Sequence, residues 1–429
     1  MKASWLLHGN EDAAIDPPHG VVACPDCGTA QTMPHRSGHG VIHCVTCDSP
    51  LEQTVGRSLN AALAVSLTAL ILLLPANILP LLSVNILGSE NRTVIASGII
   101  GVAHQGWPLI AIITGLEIIV LPLLRFGLLT AVLLALRFGH RASWIGPAFR
   151  WSEMLDDWAM PDVFLFGCIV GYSRVAPFLP VVIGGGGYCL IAVALLTLIT
   201  RSTLERRALW RRIRPPAETI TPDMVGCVGC DLALPAAFDG KRCPACHARV
   251  WRVRPFATME AFALTAAGAA FYPIAYVYPM EYSVQLGSFH GYSIMTGVVK
   301  LLQAKLWVFA AIIFVASVLI PFLKLISLCW FAWSIHQRSG RHLKFKTKLY
   351  RVIDRIGRWS HIDVFTIAVF LPLMHLPGYL SVVVGRALPA FLAVVVLTMF
   401  ATKLFDPREL WHAAAAGARE PQWLNQADR

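Results

Sequence analysis

Eight cysteines stand as four C-x2-C pairs: Cys24/Cys27, Cys44/Cys47, Cys227/Cys230 and Cys243/Cys246. A two-residue spacer lets a tight turn aim two thiolates at one ion, and two such turns complete a tetrahedral shell. The pattern therefore predicts two four-thiolate zinc ribbons. A closed shell leaves no open position for water, which makes a structural Zn2+ the expected cofactor at each site. A redox dithiol or a rubredoxin-type iron centre would draw on the same thiolates. His35, His39, His43 and His247 lie near the clusters but are not needed as ligands once four cysteines are present. The remaining cysteines, Cys168, Cys189 and Cys329, fall inside apolar runs and read as packing residues.

A second set of chemistry-bearing residues is ionic and sits within or beside apolar segments: Arg125, Asp162, Lys324 and Asp363. Charge at membrane depth is costly, so such groups are expected to face a protein interior or a water-filled path. We expect them to form a polar network that can change protonation, with Thr402 and Thr398 as candidate hydroxyl partners. The competing expectations are a static ion-pair cluster that fixes helix register, charges at the ends of spans, and threonines bonded to their own helix. Glu117 has no acidic counterpart, because its repeat equivalent is Ala316, and so marks asymmetric use of the two halves. Arg174 and His375 are repeat-equivalent and read as interfacial.

The elements that hold these residues are membrane spans. The chain has 429 residues, of which 56% are hydrophobic and 14% charged, with a mean hydropathy of +0.60. Such a composition suits lipid as solvent. Apolar runs at 59–82, 109–136, 163–179, 181–200, 262–280, 306–333, 364–380 and 387–400 approach or exceed the roughly 20 residues that a bilayer core demands. They predict about eight spans. The first fifty residues are polar and lack the apolar core of a signal peptide, so insertion is expected to use internal helices. Basic residues crowd the connections after the second, fourth and sixth runs, for example Arg206, Arg207, Arg211, Arg212 and Arg214. The positive-inside rule then places both termini and both cysteine clusters in the cytoplasm. There, disulfides are disfavoured. The same rule explains the net charge of +11 without nucleic acid as a partner.

Shifted by about 200 residues, the chain matches itself. The cysteines superpose, Pro80 falls on Pro279, Pro122 on Pro321, Arg125 on Lys324, and Asp162-Val163-Phe164 on Asp363-Val364-Phe365. The expected fold is an all-α polytopic membrane protein of two tandem parallel repeats, each a small zinc ribbon followed by about four transmembrane helices. The corresponding regions are 1–56 with a ribbon at about 21–50, a first membrane module at 57–203, 204–255 with a ribbon at about 224–250, a second module at 256–406, and a cytoplasmic tail at 407–429. No G-x4-G-K-[ST] loop is present, and no nucleophile–base arrangement is evident, so an enzyme is not expected.

Paired four-cysteine ribbons, each leading into a four-span module, together with Asn77-Ile-Leu-Pro80, resemble the paraquat-inducible protein A family. The resemblance runs from about Cys24 to Asp406. It implies the inner-membrane subunit of a lipophilic envelope-spanning tunnel in a Gram-negative bacterium. Such a subunit would pass phospholipid between the membrane and a periplasmic tunnel made by an MCE-domain partner. It further implies that intramembrane polar residues, here Asp162, Lys324 and Asp363, couple transport to the proton gradient. The ribbon loops differ in length, which leaves the subfamily and partner open. A redox or stress sensor working through the thiolates, or a scaffold that only anchors a partner, are the alternative functions.

Overall fold

A computed structural model of the chain describes residues 20–33, 40–54, 59–86, 89–176, 180–217, 219–221, 223–285, 288–373 and 380–419. Its first half runs through β1 (Val21–Ala23), β2 (Ala30–Thr32), β3 (Gly40–His43), β4 (Pro50–Thr54), α1 (Leu59–Ile78), β5 (Leu82–Ile86), β6 (Ser89–Thr93) and α2 (Ile95–His104). It continues with α3 (Pro108–Arg137), α4 (Ile145–Asp156), α5 (Pro161–Val175), β7 (Val181–Ile183) and α6 (Gly185–Thr203). A basic helix, α7 (Arg206–Ile213), leads into β8 (Met224–Gly226), β9 (Ala233–Pro235), α8 (Ala257–Val277), β10 (Glu281–Gln285), β11 (Ser288–Tyr292) and α9 (Ile294–Gln303). Then follow α10 (Trp307–His336), α11 (Leu343–Ile356), α12 (Ile362–Leu373), β12 (Leu380–Val384), α13 (Ala387–Leu404) and α14 (Arg408–Arg419). The element order of one half recurs in the other, as the self-match requires.

Six helices among the described residues are long and apolar enough to cross a bilayer: α1, α3, α6, α8, α10 and α13. The outer face of α3 shows why lipid is their solvent. Leu109, Ile112, Leu116, Val120 and Leu124 recur every three to four residues and are all exposed, which makes one continuous apolar stripe. The other two expected spans, at 163–179 and 364–380, are only partly within the described residues. Their described parts form α5 and α12, of fifteen and twelve residues. Residues 177–179 and 374–379 lie outside the described residues.

Prolines shape the two longest helices in the same way. Pro122 and Pro321 each follow a single widened π-turn, Leu116–Val120 in α3 and Val315–Leu319 in α10. A proline ring collides with the carbonyl one turn back and offers no N–H. Widening the preceding turn lets the helix continue, with the N–H of Leu121 donating to the carbonyl of Leu116 and that of Ile320 to Val315.

Each half also contains a three-stranded antiparallel sheet, ordered β6-β5-β7 and β11-β10-β12, which hydropathy alone did not predict. The third strand returns beside the proline that follows the first span. A Cβ on Gly184 would lie 2.2 Å from the carbonyl oxygen of Pro80, and one on Gly385 would lie 2.2 Å from that of Pro279. Only glycine permits that approach. The N–H of Gly184 donates to Leu81 at 3.0 Å, and that of Gly385 to Met280 at 2.8 Å.

The chain divides into two compact units. One comprises residues 1–68, 125–154 and 198–254, and its core joins Leu133, Phe149, Trp210 and Val250 to the cysteines of the second cluster. The other comprises residues 69–124, 155–197 and 255–429. Its core is built from both halves: Phe164 of α5 meets Phe365 of α12 edge-on at 5.8 Å, and the Thr366 hydroxyl donates to the Gly167 carbonyl.

Candidate metal centres and buried polar groups

The four C-x2-C pairs adopt one local conformation. In each, the residue after the second cysteine takes a left-handed backbone: Gly28, Asp48, Asp231 and His247, with φ of +78°, +60°, +58° and +59°. That bend turns its N–H back to the carbonyl of the first cysteine, at 2.9 Å for Gly28, 3.0 Å for Asp48, 2.9 Å for Asp231 and 3.0 Å for His247. Short hairpins, β1/β2, β3/β4 and β8/β9, carry three of the turns. The sulfurs of all four cysteines in each cluster then converge within 4.8 Å of one another, buried from solvent. Cys24 and Cys47 are 3.5 Å apart, Cys27 and Cys44 3.6 Å, Cys227 and Cys246 3.5 Å, and Cys230 and Cys243 3.6 Å. Tetrahedral zinc with Zn–S of about 2.3 Å sets its sulfurs about 3.8 Å apart, so the donor set fits such an ion.

Electrostatics favours the same occupant. Hydrogen bonds from neighbouring thiols hold Cys47 and Cys243 well below the usual thiol range, while those bonds and burial push Cys24 and Cys230 up. Four thiolates cannot share such a site without a cation, and a divalent ion removes the conflict by displacing the protons. His43 faces Asp48 at 3.5 Å, and His247 serves as a turn residue. His35 and His39 lie outside the described residues.

The two clusters share one unit, and α7 binds both. The Ala23 N–H donates to the Asp231 carbonyl at 3.3 Å, joining the first ribbon to the second. Arg206 and Arg207 reach the Asp231 carboxylate at 3.2 and 3.1 Å, and Arg206 also donates to the Gly229 carbonyl within the Cys227/Cys230 turn. Arg211 pairs with Glu52 of β4 at 2.6 Å. On its other side, Arg206 pairs with Glu153 of α4, which also accepts from the Trp210 indole at 3.2 Å. Burial pushes the Glu153 carboxyl up to about 7, against the pull of Arg206. These arginines, which sequence explains by topology alone, therefore also clamp the ribbons.

The residues expected to form a polar network are buried. Lys324 of α10 is buried, and its Nζ donates to the Gly357 carbonyl at 3.2 Å. The missing side chain at Gly357 makes room for it, since a Cβ there would lie 2.4 Å from Lys324 Cε. Asp162 and Asp363 are buried in the first turns of α5 and α12, where helix N-termini favour carboxylates. Asp363 also lines a cleft of about 350 Å³ with Thr366, Glu281, Tyr292 and Ser293. Arg125 is buried with its guanidinium 4.6 Å over the Phe126 ring. The hydroxyl of Thr402 donates to the Thr398 carbonyl at 2.7 Å, and that of Thr398 to Val395 at 3.1 Å, so both bond their own helix. The side chain of Arg174 and all of His375 lie outside the described residues.

Sequence reasoning missed two groupings. Lys403 bridges Asp157 at 2.8 Å and Asp354 at 2.7 Å. The available signal was a single carboxylate, Asp354, inside the basic run 338–358. Glu117, in the π-turn of α3, lies 3.2 Å from His361, and both are fully enclosed. Only the lack of an acidic counterpart to Glu117 hinted at this contact.

Duplicated apolar helices, repeated π-turns and two convergent four-thiol sites define a multi-pass membrane protein of two tandem repeats with a pair of candidate metal centres. The chain belongs to the paraquat-inducible protein A family, whose profile matches residues 59–214 and 259–415. It is 29% identical over 397 residues to the lipophilic envelope-spanning tunnel protein A of Escherichia coli K12, covering 92% of each chain. It is likewise 29% identical over 402 residues to the intermembrane transport protein PqiA of the same strain, covering 91% of this chain and 90% of the relative. A probable intermembrane transport protein of Haemophilus influenzae is 23% identical over 412 residues. No solved structure matches significantly.

Proposed function

We propose that this chain is the inner-membrane subunit of a phospholipid transport system, passing lipid between the bilayer and a periplasm-spanning tunnel built by an MCE-domain partner. The observation that carries this reading is the match along both repeats to relatives named for intermembrane transport and for an envelope-spanning tunnel. In this reading both termini and both ribbons are cytoplasmic, in keeping with the basic connections. Each four-cysteine site holds a structural Zn2+ that crosslinks its ribbon, and α7 ties the ribbons together. The exposed apolar stripes keep the helices in contact with acyl chains. Buried Asp162, Lys324 and Asp363 supply the polar groups through which the proton gradient drives the cycle.

The test is purification from native membranes in mild detergent, with mass spectrometry of proteins and lipids and a metal assay on the same sample. Co-purification of an MCE-domain protein and phospholipid with about two zinc ions per chain is the expected result. A lone, lipid-free chain would overturn the reading. In a reconstituted lipid-transfer assay, Asp162→Asn and Lys324→Met should each lose most activity while retaining zinc; full activity in both would remove these residues from the mechanism.

A further inference from the structure

Glu117 Oε1 and His361 Nε2 face each other at 3.2 Å, with side chains 3% and 0% exposed. The other ring nitrogen fixes the tautomer. His361 Nδ1 lies 3.4 Å from the Arg358 carbonyl, which can only accept, so Nδ1 carries a hydrogen. Nε2 is then either bare or the second proton site of an imidazolium. A bare nitrogen against a carboxylate would leave two acceptors facing each other in a buried site, a costly arrangement. One proton in the gap resolves this, held as a carboxylic acid beside neutral imidazole or as a carboxylate beside imidazolium. Neither carboxylate oxygen nor Nε2 completes an aligned hydrogen bond, so geometry does not lock the proton to one partner.

The second half does not duplicate the arrangement. Its π-turn carries Ala316 where the first carries Glu117. Single π-turns inside long helices are frequent at functional sites. The 3-10 turn Gly357–His361 packs against α5, α10, α11, α12 and α13, which carry Asp162, Lys324, Asp354, Asp363 and Lys403, and of these the Lys324 ammonium donates to the turn's own Gly357 carbonyl. The packed π-turn Val315–Leu319 contributes no ionisable group. On the other side, the His361 ring stacks on Phe365 at 5.8 Å.

We propose that Glu117 and His361 form a proton-binding site within the membrane unit, which takes up one proton as bulk pH falls and releases it as pH rises. On uptake, the bond forms at Glu117 Oε1 or His361 Nε2; on release, that bond breaks, leaving a carboxylate and a neutral imidazole. Only the use of the site rests on the transport reading: in a proton-driven cycle, this is where the first repeat holds the proton.

The experiment is infrared difference spectroscopy between low and high pH, on the full chain in phospholipid nanodiscs, in H2O and D2O. Wild type should show a carboxyl and an imidazole band that change together. Glu117→Gln should remove the carboxyl band and shift the imidazole band, and His361→Gln should do the converse. If either variant fails to retain zinc or a single elution peak, Glu117→Asp supplies the comparison and should displace the carboxyl band without removing it. Spectra unchanged by substitution, or variants that each remove only their own band, would overturn the proposal. Lipid transfer is not read here, so a flat spectrum sinks the proton site and leaves the transport reading standing.

Discussion

The cysteine clusters and the membrane-embedded charges are both products of duplication, yet the two kinds of site have diverged to different extents. The four C-x2-C turns keep one backbone conformation even though the inner cysteines are thirteen residues apart in one ribbon and seventeen in the other. The embedded groups keep their positions but not always their chemistry. A guanidinium over the Phe126 ring stands at position 125, and its equivalent is the Lys324 ammonium, which donates to the Gly357 carbonyl. Glu117 meets His361, whereas Ala316 offers nothing ionisable. Four thiols that must converge on one point tolerate little change in donor geometry. A buried charge needs only some compensation, which any neighbouring element can supply.

The largest effect should follow from breaking the conserved kind of site. Cys243→Ser is expected to lower the metal content from about two ions per chain to about one, and to destabilise the ribbon unit by on the order of 5 kcal/mol or more. Inductively coupled plasma mass spectrometry and limited proteolysis at residues 204–255 would measure both. Cys44→Ser should act alike in the first ribbon. Retention of two ions in either variant would show that the four-thiol geometry is not what holds the metal.

A smaller effect tests the divergent kind. Gly357→Ala would drive a Cβ into Lys324 Cε, and should cost about 1–3 kcal/mol. Thermal unfolding in detergent would report it as a lowered Tm. Combining the change with Lys324→Met should recover much of the loss, because the unbranched thioether can bend away without stranding a charge. A neutral Gly357→Ala would mean that Lys324 is not seated against this carbonyl, and the contrast with Arg125 would weaken.

The same contrast accounts for what could be read in advance. The ribbons were legible because their donors and turns are local in sequence. The six long spans were legible from apolar length. The sheets were not: Leu82 continues an apolar run and Val181–Ile183 begins one, so each strand reads as part of a span. Strand β12 was hidden for the same reason, since Leu380 ends an apolar run that hydropathy reads as a single span from 364. His361 carries no local signal, because its carboxylate partner lies in the opposite repeat. The ion-pairing of Arg206, Arg207 and Arg211 was masked by a simpler explanation, membrane orientation, which accounts for their number but not for their contacts.

Glu153 offers the finest test, because it belongs to the clamp that only the tertiary structure reveals. Burial raises its carboxyl from 4.5 to about 7, with Arg206 opposing. Folding therefore binds its proton more tightly than the unfolded chain does. The associated stability is fully present below about 4.5 and is lost as pH rises through about 7. Glu153→Gln mimics the protonated form. Its unfolding curve should approach that of wild type at low pH and exceed it above neutrality by on the order of 1 kcal/mol, allowing for partial solvent access. Comparing the variants at each pH cancels the acid sensitivity of the thiolate sites, which both proteins share. Parallel curves across the range would place the charge of Glu153 in an environment it does not mind, and would leave Arg206 bound to the ribbon through Asp231 and Gly229 alone.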